Sequence, residues 1–419
     1  MRVVDGAVMP VRRARGYAPQ PLPLPALDRA PSCVLACGPQ QKATIALTRE
    51  GTNGEATCFV SQHIGDVENG GTFDAWNAAR TRLEDLFDLA PAALACDLHP
   101  SYLSGQWARE QARKCNLPLV EVQHHHAHIA SVMAEAIAAG QLTTDARVLG
   151  IAFDGTGAGT DGTIWGGEFL VASLGGFERA AHLRTWALPG GAASVRDACR
   201  NAFALLSELG LLEHPGAARL LDSLGEQTRS VTATMIERGI NSPRTSSMGR
   251  LFDAAAAILG ICDKATYEGE PAIELEAAAW RALDNEIAHF PDDNAGHFAS
   301  GPSWPDGPYV LDQKALFEAL LGGIEAGAPA DRLSLDFHVA VARSSARIAS
   351  DICVHEGIDT VALSGGVFMN RLLLQLLTRE LKSAGLTVLV PQTVPVNDGC
   401  IAYGQAAVAR TRLAQVAPQ

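Results

Sequence analysis

The chain is 419 residues long, with 47% hydrophobic and 19% charged residues. This composition is typical of a globular protein with a sizeable core, and it excludes a largely disordered chain. The formal net charge of -13 at pH 7 argues against a broad basic surface. We therefore expect no nucleic-acid partner, although a local phosphate site remains compatible with this charge.

Cysteine usage and hydropathy indicate the compartment. The nine cysteines are scattered and form no C-x-x-C pair, which favours reduced thiols. No uninterrupted apolar stretch is long enough to span a membrane, and residues 1–25 lack the apolar segment of a secretory signal. These features predict a cytoplasmic protein without membrane contact.

The first hundred residues begin with an irregular segment and continue with alternating strands and helices. Residues 1–30 are rich in arginine and proline, which predicts an N-terminal arm or linker. Short apolar runs then predict strands at Cys33–Cys37, Ala43–Leu47, Thr57–Ser61 and Ala92–Cys96, with helical spacing over 73–88.

A histidine-rich segment opens a predicted helix, for which Gly140 is a plausible end. Four of the twelve histidines lie within positions 124–128. His124 and His128 are four positions apart, so their rings would share one helix face and could bind one metal ion. The alternative is a solvated helix start or a row of hydrogen-bonded rings. His125 and His126 point to other faces and fit that structural role better.

The second part of the chain opens in a similar way. An apolar strand at Arg147–Phe153 leads into the Gly-rich turn Asp154–Gly162 and a strand at Thr163–Val171, which suggests an internal duplication of one α/β unit. The later predicted elements are helices at 196–213, 248–262 and 272–287, a strand at Asp359–Leu363, a helix from about Asn370, a strand at Leu386–Val390 and a helix at Gly399–Leu413. This alternation predicts α/β lobes with ligands at the carboxyl ends of strands.

Two aspartates stand where such folds place functional groups. Asp154 ends a predicted buried strand, and Asp398 lies between the last strand and the last helix. Together with His124 and His128 they would form a mixed nitrogen and oxygen site suited to iron or zinc. The competing interpretation is that each aspartate caps a helix or forms a turn, and Asp398 fits a helix cap well.

Three Gly-rich turns follow predicted strands, at Gly155–Gly162, Gly166–Gly167 and Gly365–Gly366. Exposed backbone N–H groups in such turns can hold phosphates, so three of them favour a nucleotide between lobes. None matches a P-loop or a G-x-G-x-x-G motif, and each on its own fits an ordinary tight turn. Ser246 and Ser247 precede another predicted helix, either as an anion site or as a plain cap.

The motifs taken together resemble one family. The segments that carry the resemblance occur in a fixed order: Arg12–Tyr17, Ser61–Asp66, Asp97–Pro100, His124–His128, Asp154–Gly157, Trp165–Glu168, Leu188–Gly191, Ser246–Asp253, Ser364–Asn370 and Pro395–Gly399. They resemble the C-terminal carbamoyltransferase module of the HypF family, which matures [NiFe]-hydrogenases. The resemblance covers nearly the whole chain, from about Val11 to Arg410.

The resemblance implies a fold shared with TsaD-like transferases, which is a two-lobed α/β fold of the actin and sugar-kinase type with duplicated subdomains. Lobe I would comprise residues 31–150, with the C-terminal helix at 395–419 packed on it, and lobe II residues 151–394. A metal and a nucleotide would lie in the cleft between the lobes.

The resemblance also implies roles for individual residues. His124, His128, Asp154 and Asp398 match the catalytic metal ligands of the family. The glycines that match its phosphate-side turns are Gly155, Gly157, Gly167, Gly365 and Gly366. Glu274 resembles the acid that holds the ribose hydroxyls, and Asn370 resembles the residue beside the adenine.

The implied reaction is carbamoyl transfer. Carbamoyl phosphate and ATP would give carbamoyl-adenylate, and the carbamoyl group would pass to the C-terminal cysteine thiolate of HypE for cyanide-ligand synthesis, with release of AMP. Because a negatively charged tail would approach an acidic protein, we expect positive groups at the cleft mouth.

One departure from the family bears on partners. The acylphosphatase, zinc-finger and YrdC-like adenylating modules of the full family protein have no counterpart in this sequence, so a separate carbamoyl-adenylating protein is expected to supply the donor. Two other functions stay open: a small-molecule O-carbamoyltransferase, and a non-catalytic nucleotide-binding subunit.

Overall fold

Two large β-sheets with helices packed on their faces and one small two-stranded sheet form the described part of the chain. A computed structural model describes residues 2–4, 7–14, 16–51, 56–285, 297–300 and 307–416. The strands are β1 (Arg2–Val4), β2 (Ala7–Met9), β3 (Pro21–Leu24), β4 (Val34–Ala36), β5 (Ala46–Glu50), β6 (Ala56–Val60), β7 (Ala93–Asp97), β8 (Leu119–Val122), β9 (Val148–Ala158), β10 (Ile164–Ala172), β11 (Phe177–Leu183), β12 (Trp186–Ala187), β13 (Arg244–Thr245), β14 (Ala299–Ser300), β15 (Tyr309–Asp312), β16 (Thr360–Ser364) and β17 (Thr387–Leu389).

Helices connect most of these strands. The α-helices are α1 (Gly70–Phe87), α2 (Leu103–Cys115), α3 (His124–Ala138), α4 (Ala192–Arg196), α5 (Ala198–Leu209), α6 (Ala218–Glu237), α7 (Met248–Ile258), α8 (Glu270–Asn285), α9 (Lys314–Glu325), α10 (Ala330–Glu356), α11 (Arg371–Ser383) and α12 (Ile401–Val416). Among the described helices, none combines the length and the hydropathy needed to cross a bilayer.

The two sheets share one strand order. The first sheet runs β3-β6-β5-β4-β7-β8, and the second contains the path β11-β10-β9-β16-β17. In both, three consecutive antiparallel strands are followed by two parallel ones, so β6-β5-β4-β7-β8 corresponds to β11-β10-β9-β16-β17. The duplication suggested by the two similar strand openings is therefore visible in the topology.

Helices α3 and α12 lie between the two sheets. One buried cluster joins Val34 and Ala36 of β4 to Ile129 of α3, Ala402 of α12 and Val148 of β9. The intervening Leu35 points to the opposite face, where it packs with α1 and α2, as strand alternation requires. The histidine-bearing helix α3 is thus held from both sides, and its first turn lies where the lobes meet.

Two glycines let α3 approach its neighbours closely. A side chain at Gly404 of α12 would place its Cβ 1.9 Å from the carbonyl oxygen of Ala127, and one at Gly150 of β9 would lie 2.4 Å from Cγ1 of Ile129. Because only glycine fits at these two contacts, α3 packs against the backbone of both α12 and β9. This close packing fixes the position of α3, and with it the position of the histidines, relative to both lobes.

The N-terminal segment differs from the expected arm. Strand β3 pairs antiparallel with β6 at the edge of the first sheet. Met9 is buried in the core of the second lobe, and the buried Arg13 donates to the carbonyl oxygens of Thr393 and Gln20. In this Pro-rich stretch apolar residues stand at alternate positions, which is the pattern of a strand. Proline does not exclude a strand here, because it is tolerated on an edge strand. The described part of residues 1–30 is therefore packed onto both lobes.

The Gly-rich turn after the first strand of lobe II is shorter than predicted. Strand β9 continues through Gly155 and Gly157 to Ala158, and only residues 159–163 turn back into β10. The register of the β9–β10 pair shifts between Trp165 and Gly167, which leaves the strands irregular beside Asp154.

Candidate functional site

The site is built around the first turn of α3. The side chain of Gln123 caps this helix, accepting a hydrogen bond from the backbone N–H of His126 at 2.9 Å. The helix then places the rings of His124 and His128 on one face, with centroids 5.2 Å apart. Both rings are buried, whereas His126 points elsewhere and bonds the carbonyl oxygen of Ser173.

Two aspartates from distant parts of the chain meet these rings. Asp154 Oδ2 lies 3.3 Å from His124 Nε2 and 3.4 Å from His128 Nε2. Asp398 Oδ1 lies 3.8 Å and 3.6 Å from the same two atoms. One ligand atom from each of the four residues lies within 4.8 Å of all the others. The structure thus brings all four predicted metal ligands into one buried cluster.

The aspartates are held with one oxygen free for the cluster. Asp154 Oδ1 accepts hydrogen bonds from the backbone N–H groups of Gly155 at 2.8 Å and Gly366 at 3.1 Å, so Oδ2 faces the histidines. Asp398 begins a single 3-10 turn whose cap is Asn397, which accepts from the N–H of Gly399. Because Asn397 supplies the cap, Asp398 is free for the cluster, contrary to the helix-cap alternative.

Asp97 belongs to the site although sequence reasoning gave it no role. Its buried carboxylate lies 2.8 Å from His124 Nδ1 and also accepts from the N–H of His99. A carboxylate at this place keeps the proton on Nδ1 and directs the lone pair of Nε2 into the cluster. The available signal was its position at the carboxyl end of buried strand β7.

The charges of the cluster stabilise one another. Burial disfavours a charged His124, but its hydrogen bonds to Asp154 and Asp97 and the nearby carboxylate of Asp398 hold its pKa well above the usual value. The pKa of His128 is also raised against the effect of burial, by its contact with Cys400 and by the carboxylates of Asp154 and Asp398. At the two acids, the nearby histidines outweigh the effect of burial. They lower the pKa of Asp154 strongly and that of Asp398 to about 2.

This donor set fits a divalent cation. His128 Nε2 is buried and has no hydrogen-bond partner among the described residues, although its Nδ1 lies 3.2 Å from Ser364 Oγ and 3.3 Å from Cys400 Sγ. Two imidazole nitrogens and two carboxylate oxygens are ligands that iron and zinc accept. A cation at the centre would compete with protons for these four ligands.

A cavity of about 820 Å³ opens beside the cluster, and Asp154 and Asp398 form part of its wall. The backbone of Gly155, Gly249 and Gly366 forms another part. The cationic side chains that line it are Arg12, Arg13, Lys42, Arg196 and Arg250. The expected positive groups are therefore present, and lobe I contributes Lys42 while lobe II contributes Arg196 and Arg250.

The predicted phosphate-side glycines divide into two groups. Gly155 and Gly366 line the cavity, but Gly157, Gly167 and Gly365 do not. A Cβ at Gly157 would lie 2.5 Å from the ring of His125, and one at Gly167 would lie 2.5 Å from the carbonyl oxygen of Ser246. Gly365 has φ of +111° and would meet the carbonyl oxygen of Phe153. These three are glycine because of close packing, which a sequence pattern does not distinguish from phosphate contact.

The predicted ribose acid is also displaced. Asn370 lines the cavity, whereas Glu274 is exposed and lies outside its lining. Residues 269, 272, 273 and 276 face the cavity at helical spacing, so the acid on the cavity face of α8 is Glu276. Glu276 Oε1 also accepts from the backbone N–H of Arg371 at 2.8 Å, which ties α8 to the start of α11.

Comparison with known proteins identifies the family. A model described as the HypF Kae1-like domain matches residues 29–135, and one described as the second subdomain of the Kae1-like carbamoyltransferase domain matches residues 150–405. The chain belongs to the HypF family. A carbamoyltransferase HypF homolog of Cupriavidus necator is 39% identical over 397 residues, which cover 94% of this chain and 95% of that protein.

Longer relatives match equally well over one part of their length. Carbamoyltransferase HypF of Synechocystis sp. is 35% identical over 97% of this chain and 50% of its own length. A crystal structure of full-length HypF in the phosphate- and nucleotide-bound form superposes with a TM-score of 0.85 at 36% identity, over 97% of this chain and 50% of that one. The chain thus spans about half the length of these relatives, and the predicted two-lobed α/β fold of the actin and sugar-kinase type is confirmed.

Proposed function

We propose that this chain is the carbamoyl-transfer module of [NiFe]-hydrogenase maturation. The observation that supports this most directly is the buried cluster of His124, His128, Asp154 and Asp398 in the wall of a nucleotide-sized cavity. Relatives that the chain matches along its whole length are named carbamoyltransferase HypF. The donor would be carbamoyl-adenylate, made from carbamoyl phosphate and ATP.

The four clustered residues would hold an iron or zinc ion. When bound, such an ion supplies Lewis-acid polarisation of a carbonyl oxygen. The protein contributes the rigidity of the ligands: Asp97 orients His124, and the N–H groups of Gly155 and Gly366 orient Asp154. Because all four ligands are buried, water has little access to the reacting carbamoyl group.

The cavity would bind the adenylate part of the donor. The backbone at Gly155, Gly249 and Gly366 lies beside the cluster and would face phosphate, because glycine lets a ligand approach the main chain. The side chains of Glu276 and Asn370 would bind ribose and base. A relative of 36% identity was crystallised in a phosphate- and nucleotide-bound form, which supports a nucleotide in this family.

The acceptor would be the C-terminal cysteine of HypE. Its thiolate would attack the carbamoyl carbon, a C–S bond would form, the C–O bond to the phosphate would break, and AMP would leave with the electron pair. Arg12 and Arg196 are exposed residues in the cavity lining and would attract an anionic tail to an otherwise acidic protein. A separate protein would supply the carbamoyl-adenylate.

The two lobes would act as the walls of the cleft. We place lobe I at residues 31–150, with the C-terminal helix packed on it, and lobe II at residues 151–394. The packing of α12 against α3 and the first sheet supports this division. All nine cysteines are free thiols, which supports a reducing compartment such as the cytoplasm.

Single-turnover transfer tests the proposal. The purified chain is loaded with iron or zinc and mixed with HypE and either carbamoyl-adenylate or carbamoyl phosphate plus ATP, and the mass of the HypE C-terminal cysteine is measured. We expect one carbamoyl group to appear from the adenylate. Its appearance from carbamoyl phosphate plus ATP would show that the chain activates its own donor.

The control is His128→Ala, which removes one cluster ligand. We expect loss of transfer and of bound metal with an unchanged circular dichroism spectrum, and full activity in this variant would contradict the metal site. Transfer to an aminoglycoside but not to HypE would favour the small-molecule O-carbamoyltransferase. Nucleotide binding without any transfer would favour the non-catalytic subunit.

A further inference from the structure

One end of the cavity has the composition of a nucleobase site. Its wall there is apolar and is formed by Ala272, Ile273, Val367 and Met369, with Asn370 as a polar neighbour. The bond from the N–H of Arg371 to Glu276 brings α8 against the start of α11, so these groups lie together. A flat apolar ring with one hydrogen-bonding edge matches such a wall.

The amide of Asn370 is fixed by two hydrogen bonds. Its Oδ1 accepts from the backbone N–H of Leu373 at 2.8 Å and so caps α11. Its Nδ2 lies 2.8 Å from Nε2 of His338. The reverse orientation would set Nδ2 against the N–H of Leu373, where two donors would face each other.

The histidine that receives this bond has a defined tautomer. His338 belongs to α10, is fully buried, and has Nδ1 2.7 Å from the carbonyl oxygen of Ser334. A carbonyl oxygen can only accept, so the proton is on Nδ1 and Nε2 accepts from Asn370. Burial lowers the pKa of His338 to about 4, which keeps the ring neutral near pH 7. The edges of Phe252 and Phe337 pack against the ring and hold its plane.

We propose that His338 is a positioning residue for base recognition, which fixes the Asn370 amide so that its second N–H faces the nucleobase. The ligand atom at that place must then be an acceptor. On adenine the acceptors are the ring nitrogens N1, N3 and N7, whereas the exocyclic amine is a donor. The inference rests on the proposed nucleotide site and specifies the hydrogen bond by which that site would recognise the base.

Deaza analogues of ATP test this directly, because each replaces one ring nitrogen with a C–H group. Affinities of the purified chain for ATP and for 1-deaza-, 3-deaza- and 7-deaza-ATP are measured by calorimetry. One net hydrogen bond changes affinity by roughly three- to tenfold, so we expect a loss of that size for one analogue and little change for the other two.

Two variants then test whether His338 contributes to this recognition of the base. His338→Leu removes the acceptor, and we expect the discrimination between ATP and the weaker analogue to fall to about twofold or less. His338→Gln keeps an acceptor oxygen within reach of Asn370 and should restore much of the discrimination. His126→Leu is the matched control, since it removes another buried histidine that bonds a backbone carbonyl but lies outside the cavity lining.

The outcomes separate the inference from the proposed function. Equal affinity of the wild-type chain for ATP and all three analogues would overturn the inference while leaving the nucleotide site intact. Unchanged discrimination in a folded His338→Leu variant would also overturn it. Equal loss of discrimination in His126→Leu would show a merely structural effect. No binding of ATP or of AMP by the wild-type chain would overturn both.

Discussion

The two ring nitrogens of His124 have different tasks. Nδ1 bonds the buried carboxylate of Asp97, and Nε2 faces Asp154 and Asp398. A ligand ring held in this way does not need to be reorganised when a cation enters. The affinity of the cluster for a metal would therefore depend on a residue that does not itself belong to the cluster.

Replacing Asp97 should weaken metal binding without removing a ligand. We expect Asp97→Ala to reduce the affinity for zinc about 10- to 100-fold, because His124 loses both its orientation and the anionic partner of Nδ1. Asp97→Asn, which retains an acceptor oxygen, should lose less. Competition with a chromophoric chelator measures the affinities. Equal affinity in Asp97→Ala and wild type would contradict a role in orienting His124.

Two acids of α8, Glu274 and Glu276, form a matched pair for a test of nucleotide binding. Glu276 lines the cavity and Glu274 is exposed outside its lining. We expect Glu276→Gln to weaken ATP binding by about tenfold, because a charged acceptor for the ribose becomes neutral while the cap on Arg371 is retained. Glu274→Gln should bind as the wild type does. Calorimetry measures both, and the reverse pattern would support the placement inferred from family resemblance.

At the scale of elements, the site depends on the contact of α3 with α12. The Cβ that Gly404→Ala introduces would lie 1.9 Å from the carbonyl oxygen of Ala127, so one helix must move. We expect a loss of about 1–3 kcal/mol in the free energy of unfolding, together with weaker metal binding, because His128 is on the displaced turn.

A second helical glycine gives the control for that prediction. Gly322 of α9 has nothing within 4 Å of its ideal Cβ. Gly322→Ala should therefore stabilise the protein by about 0.5–1 kcal/mol through helix propensity alone. Urea unfolding measures both variants. A Gly404→Ala protein as stable as Gly322→Ala would show that α12 and α3 are not in close contact.

Much of the element order was predictable because its signals are local. The apolar runs at β4, β6, β7 and β16 and the caps of α3 and α11 lie within a few residues of the elements they define. The i, i+4 spacing likewise predicted that His124 and His128 share a face. Family resemblance supplied their convergence with Asp154 and Asp398, since spacing alone cannot bring distant residues together.

Several predicted residues lie outside the cavity lining, and their placement has a shared physical cause. Gly157, Gly167 and Gly365 are glycine because backbone or rings from elsewhere approach them, and Glu274 and Glu276 differ only in the face of α8 that they occupy. Strand β3 depends on an edge partner that is distant in sequence. Such tertiary contacts leave no local pattern, which is also why His338 had no sequence signal, whereas Asp97 had only its place at the end of strand β7.

At the scale of the whole molecule, the reactivity of the cysteine thiols can be used to test the packing of the lobes, because most of these thiols are buried. Cys115 is exposed and Cys262 is half-buried, while the other seven cysteines are buried. Burial raises the pKa of Cys33, Cys58 and Cys96 to about 12, so these thiols stay protonated near pH 8 as well as being covered.

We therefore expect one fast thiol in the native protein. A chromogenic disulfide reagent at pH 8 should label Cys115 quickly, and Cys262 more slowly because burial also raises its pKa. The remaining seven should react only after unfolding. Cys115→Ser should remove the fast phase. Fast labelling of three or more thiols in the wild type would show that the described packing opens readily in solution.

The long-range pairing around His128 has a consequence for biosynthesis. His128 lies against Cys400, 272 positions later in the chain, beside the aspartate that completes the cluster. At ribosomal rates of about 5–20 residues per second, roughly 15–55 s separate the synthesis of these two segments. During that interval the nascent polypeptide carries the two histidines without their last carboxylate. The complete four-ligand site therefore forms only after the segment with Asp398 has been synthesised, so a truncated product ending before Asp398 lacks it.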